Sequence, residues 1–158
     1  MNKELIRQAI LNNLEEELRL AIHAANEARD LATHEESIAE TQYDTVGLEA
    51  SYLAHGQSMR VAEFQEAIQS YRNLPMAQFD EDTPVRVTAL VTVEYQDHTQ
   101  KQFFIGPMAG GMQLKVAGED IMLVTPEAPL AKKLLGLYEG DEVLFPDQNE
   151  QVVVISVH

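Results

Sequence analysis

The chain has 158 residues, 45% of them apolar, no cysteine and a formal net charge of −15. That composition supports a real core in one domain or two small ones and excludes a disordered chain, disulfides and thiolate chemistry. It also argues against broad binding to a nucleic-acid backbone, whose phosphates would repel so acidic a surface, and points to cations, metal ions or basic protein surfaces as partners.

The first half is helical by period. Leu11, Leu14, Leu18, Ala21, Ala25, Ala28 and Ala32 recur at alternating spacings of three and four, which is a coiled-coil seam. No Gly or Pro interrupts residues 1–46. A second helix has its own seam in Ala50, Ala54, Gln57, Val61, Phe64, Ile68 and Tyr71, and ends before Pro75. The link between them is too short for parallel helices, so an antiparallel hairpin is expected over 1–75. Its seam residues are large far from the link and small near it, which thins the hairpin towards its tip. About 30 residues at ~1.5 Å each make an arm on the order of 45 Å long. A narrow apolar stripe with polar residues outside it suits two helices standing alone; the alternative is an ordinary hairpin packed on a globular body. A hairpin that satisfies its own seam favours a monomer.

Five carboxylates, Glu35, Glu36, Glu40, Asp44 and Glu49, crowd the tip segment 34–49 without a Lys or Arg among them. Exposed like charges cost little in salt, so a solvated loop is one reading. The other is an arm that delivers oxygen ligands to a cation held elsewhere, since Mg²⁺ is often bound by only one or two carboxylates.

Residues 76–83 form a linker. Then β-branched and aromatic residues take over. VRVTALVTVEY and QKQFFIG read as strands around the turn QDHT, GPMAGG as a loop, and EDIMLVT as a strand. PLAKKLLG is a short helix with Pro129 in its first turn and Gly136 at its end. DEVLF and QVVVISVH are two more strands across PDQNE. The fold class is therefore α+β, a helical hairpin followed by a mainly antiparallel sheet with one short helix over 84–158.

No phosphate loop, dinucleotide fingerprint, zinc-protease pair or nucleophile elbow is present. The histidines His23, His34, His55, His98 and His158 are scattered. His34 beside Glu35 and Glu36 is better read as an exposed helix-end residue than as a metal ligand. A self-contained active site is not expected. The protein has no apolar run near the ~18 residues of a membrane span, and its amphipathic N-terminus MNKELIRQAI lacks a signal-peptide core, so a cytoplasmic protein without a membrane partner is expected.

APLAKKLLGLYEGDEVLF, residues 128–145, is similar to a pattern of the bacterial transcription elongation factors GreA and GreB: Ser-Pro, a short helix ending in Leu-Leu-Gly or Leu-Ile-Gly, then Gly/Asp-Asp-x-Val. Ala128 stands where that pattern has Ser. A hairpin with an acidic tip ahead of a small β-rich domain also resembles this family. The resemblance covers the whole chain in architecture, most strongly over 120–158. It implies an FKBP-like C-terminal domain that docks near the mouth of the secondary channel of bacterial RNA polymerase. Pro129, Leu130, Lys132, Lys133, Leu135 and Gly136 are the docking candidates. The hairpin then enters the channel. Its tip acids help hold the polymerase's second Mg²⁺, so that the polymerase itself cleaves the 3′ end of backtracked RNA. On this reading the protein is not an enzyme. It holds no cofactor alone, and Mg²⁺ is shared with the polymerase on the DNA-bound transcription complex.

The family's tip has an Asp with a Glu three residues later, as in Asp-Leu-x-Glu-Asn-Ala-Glu-Tyr. Asp44 matches that Asp and Tyr52 loosely the Tyr, but Gly47 stands in place of the Glu. Gly47 can take a left-handed conformation and reshape the loop. Asp44 is the first choice of metal-directed acid, Glu40 the second and Glu49 the third. Three other readings stand beside this one: a channel-occupying regulator without cleavage activity, a coiled-coil chaperone or binding protein, and a peptidyl-prolyl isomerase. The isomerase is the weakest, because Phe103, Phe104, Tyr138 and Phe145 read as core rather than as a proline pocket.

Overall fold

The computed structural model describes residues 1–38, 46–146 and 149–158, without the side chains of 34–38, 46, 47 and 50. The chain divides into two compact units, one of Leu11–Gln69 and one of Met1–Ile10 with Ser70–His158.

The first unit is made of most of two helices, while the start of the first helix and the end of the second belong to the other unit. α1 spans Lys3–Ile38 and α2 spans Val46–Arg72. Asn2 starts α1: its side-chain oxygen accepts the Glu4 N–H at 2.9 Å, which satisfies one of the open donors of the first turn. The seam follows the sequence period. Leu11, Leu14, Ala21, Ala25, Ala28 and Ala32 are buried on α1, with Leu18 half-buried. On α2, Ala54, Gln57, Val61 and Phe64 are half-buried, and Ala67 and Ile68 are buried. Ile22, Ala25, Asn26 and Arg29 share a shallow crevice of about 130 Å³ with Ser58 and Val61. Arg7 of α1 donates to the carbonyl of Tyr71 on α2 at 2.7 Å. Residues early in α1 thus meet residues late in α2, and the pair is antiparallel as expected.

In the second unit six strands form one sheet: β1 Leu90–Glu94, β2 Gln100–Ile105, β3 Gln113–Val116, β4 Glu119–Val124, β5 Glu142–Phe145 and β6 Glu150–Val157, in the order β3-β4-β2-β1-β6-β5. A short helix, α3, spans Pro129–Leu134. Four strand pairs are antiparallel, and β2 with β4 is parallel. The sheet is thus mainly antiparallel, as expected, with one parallel pair. The parallel pair arises because the chain leaves β2 through Gly106–Gly111 and forms β3 at the sheet edge. The turn at Ala117 (φ 52°) and Gly118 (φ 85°) then brings β4 back beside β2. β3 is absent from the sequence reading. The expected strand from Val85 begins only at Leu90, because Thr88 takes a left-handed φ of 76° and Ala89 N–H closes a turn onto Arg86 O at 3.0 Å.

Alternation fixes the two faces. Val91, Val93, Phe103, Ile105, Val152 and Val154 point to one core, covered by Ala131 and Leu134 of α3. Phe145 meets Tyr95 and Phe103 edge to face, each at 6.0 Å between ring centroids. Leu90 and Phe104, paired across β1 and β2, point the other way.

Candidate functional site

Asp44 and Glu40, the first and second choices among the tip acids, lie outside the described residues. Glu35 and Glu36 fall in the end of α1. Glu49, the third choice, sits in the first turn of α2 and is exposed. A carboxylate there is favoured by the positive end of the helix dipole. Gly47 is helical, within the first turn of α2. This corrects the expectation of a left-handed glycine that reshapes the loop: the helix simply starts before it. The oxygen-only chemistry of these side chains fits a hard cation such as Mg²⁺. Among the described residues no group of three His, Asp or Glu side chains is arranged to hold a metal alone.

α3 carries four of the docking candidates, Pro129, Leu130, Lys132 and Lys133, and Leu135 and Gly136 follow directly at its end. Pro129 opens the helix, where its fixed φ and missing N–H are harmless. Ala131 and Leu134 turn into the core, which leaves Lys132 and Lys133 exposed side by side. Leu130 and Leu135 are half-buried against that core, while Pro129 and Gly136 are exposed. The segment after α3 is stitched down by backbone. Gly136 N–H donates to Val85 O at 2.9 Å, and Val85 N–H donates to Leu137 O at 2.8 Å. Gly136 carries a φ of 85°, which a side chain at that position would strain. The cationic pair is therefore presented from a fixed support.

Phe103, Phe104 and Phe145 are all buried, and Phe104 faces the opposite side of the sheet from the other two; only Tyr138 is exposed. They form no shared aromatic pocket. His23 pairs with Glu27 at 3.1 Å and His98 with Glu94 at 3.4 Å, both on the surface. Gln100 first, then His98, hold the Glu94 carboxyl below its usual range.

Tyr71, expected only as a seam residue, and Lys3, which the sequence did not mark, tie down the second unit. The Tyr71 hydroxyl donates to Met108 O at 2.6 Å, and burial pushes its pKa well up despite that bond. Lys3 Nζ donates to Ala77 O and, at 3.1 Å, to Thr88 O, and lies 4.4 Å from the Phe79 ring centroid. Burial, then repulsion from Arg86, lowers its pKa. Thr88 Oγ1 in turn accepts the Ala77 N–H at 3.0 Å. A glycine ahead of a proline, Gly106-Pro107, was the available sign of the close approach at Tyr71; no comparable signal marks Lys3.

No protein-family model and no curated protein matches the chain. Among solved structures, the GreA factor homolog 1 (Gfh1) protein of Thermus thermophilus is 16% identical, with 94% of each chain covered and a TM-score of 0.38. Thermus aquaticus Gfh1 is 19% identical, covering 96% of this chain and 95% of that one, with a TM-score of 0.39. A prokaryotic transcription elongation factor GreA/GreB from Nitrosomonas europaea is 18% identical, covering 69% of this chain and 90% of its own, with a TM-score of 0.36. At such identities and scores the similarity carries no functional argument by itself.

Proposed function

We propose that the protein is a transcription elongation factor that binds bacterial RNA polymerase and places its hairpin in the secondary channel. The observation that supports this best is the hairpin itself. Its seam shrinks to Ala21, Ala25, Ala28 and Ala32 as it approaches the acidic segment, and helices that meet through alanines run close together. Residues 11–69 carry twelve Asp and Glu against three Arg, a net charge of nine negative. A thin, strongly negative arm suits delivery of carboxylates to a metal bound by a partner. Lys132 and Lys133 on α3 supply the docking contact of the sheet unit.

On this reading Asp44, with Glu40 or Glu49, completes the shell of an Mg²⁺ that the polymerase holds. Bound metal ions activate water and stabilise charge on the scissile phosphate. The hydrolysis is the polymerase's, acting on the 3′ end of backtracked RNA; this chain positions oxygens and carries out no step alone. The setting is cytoplasmic.

A second reading has a specific observation behind it. Gly47 occupies the place where the Gre pattern has its second acid, and it is built into α2. A tip with one matching acid suits a factor that occupies the channel without promoting cleavage. Stalled elongation complexes with end-labelled RNA separate the two. Cleavage promotion predicts faster shortening of the transcript by the wild-type chain and at least a tenfold slower rate with Asp44→Ala. Inhibited synthesis without shortening supports occupation alone. Failure to co-migrate with polymerase overturns both.

A further inference from the structure

α2 carries a second row of residues that the hairpin seam does not use. Leu48, Tyr52, His55 and Met59 recur at i, i+4, i+7 and i+11, about 16 Å along the helix. At about 100° per residue they lie on the side opposite Ala54, Gln57, Val61 and Phe64. Leu48, Tyr52 and Met59 are 53%, 71% and 55% exposed. Single apolar residues on a surface are ordinary, but three large ones aligned over three turns, away from the seam, form an apolar row broken only by His55 between Tyr52 and Met59.

Gly56 gives an independent sign. It lies beside this row in the middle of α2, and a Cβ added there meets nothing within 4 Å. Glycine in a helix interior costs about 1 kcal/mol relative to alanine. Among the described residues nothing fills the space beside it, so the bare backbone leaves room for close approach of something outside the chain.

Charge selects the occupant. Past Met59 the same row continues into Glu63 and Glu66, both exposed. The whole hairpin unit is negative, as counted above. A second copy of this chain would bring an equal negative charge to the same place. We propose that the Leu48–Tyr52–Met59 row docks a basic amphipathic helix of a partner polypeptide. The helix lays its apolar face along the row, passes close over Gly56, and sets Lys or Arg against Glu63 and Glu66. Such packing follows the i, i+4, i+7 anchoring of helix-in-groove recognition. The docking holds whichever protein supplies the helix, so it goes beyond the assignment to polymerase.

The test uses the full chain and two synthetic 18-residue peptides of leucine and lysine. One has its leucines on a single helical face; the other has the same composition scrambled. Fluorescence anisotropy of the labelled peptides should show at least tenfold tighter binding of the amphipathic peptide by the wild-type chain. The double variant Tyr52→Gln/Met59→Gln, which keeps every charge, should lose most of that preference. Gly56→Gln should raise the melting temperature and still weaken binding at least fivefold. Circular dichroism checks that each variant remains helical. Equal affinity for both peptides, or undiminished binding by the folded double variant, would mean that only charge attracts the peptide and would overturn the proposal. Concentration-dependent dimerisation that vanishes in the double variant would also overturn it, by showing that a second copy covers the row.

Discussion

The Tyr71 hydroxyl reaches Met108 O at 2.6 Å from a fully buried ring. Its neighbour Gly106 has no room for a side chain: a Cβ there would overlap that hydroxyl and lie 2.7 Å from Leu123 Cδ1. Gly106→Ala should therefore destabilise the protein by about 1–3 kcal/mol, the usual cost of overpacking, read as a lower urea midpoint with an unchanged slope. The same hydroxyl makes stability depend on alkaline pH. Burial raises the folded pKa of Tyr71 above its ordinary 10.0. Its contribution is fully present below pH 10 and falls as pH rises further, because the unfolded state ionises first. Between pH 9 and pH 11 the wild-type chain should lose on the order of 1 kcal/mol more than Tyr71→Phe. Equal losses in urea titrations would show that the ring is not held neutral.

Each element was legible in the sequence to the degree that local chemistry alone fixes it. The seams of α1 and α2 follow from period, and Pro75 stops α2 shortly after Arg72. α3 follows from Pro129 and Gly136. β3 was missed because QLKV is only four residues long, with Gln113 and Lys115 exposed; its identity comes from pairing with β4. The parallel β2–β4 pair was invisible for the same reason, since long-range connection decides it. Leu90, not Val85, starts β1 because Thr88 holds a backbone conformation that β-branched residues rarely adopt. The N-cap of α3 gives a prediction at this scale. Ala128 occupies it with extended backbone and makes no side-chain hydrogen bond to the helix. Ala128→Ser supplies the missing acceptor and should stabilise the protein by about 1 kcal/mol, seen as a rise in melting temperature. No change would mean that α3 is held only by Ala131, Leu134 and the Val85 backbone bonds.

Across the molecule, charge and chemistry are divided between the units. The sheet unit holds eight of the eleven Lys and Arg residues, including the exposed pair on α3; the hairpin unit holds twelve of the 26 acids and three arginines. The part of the candidate site that sequence made legible was the excess of acids in 34–49. Which acid the proposed function would use was not legible, because a ligand set of one or two carboxylates leaves no spacing rule and Gly47 breaks the pattern that would have chosen. The absence of cysteine allows a direct measurement. Thr45→Cys, beside Asp44, can carry a short photoreactive crosslinker in an otherwise thiol-free chain. In backtracked elongation complexes irradiated at saturating factor, the account predicts crosslinks to the RNA 3′ end or to polymerase peptides that ligate the catalytic metal. Crosslinks confined to the outer surface of the polymerase, with the factor bound, would contradict it.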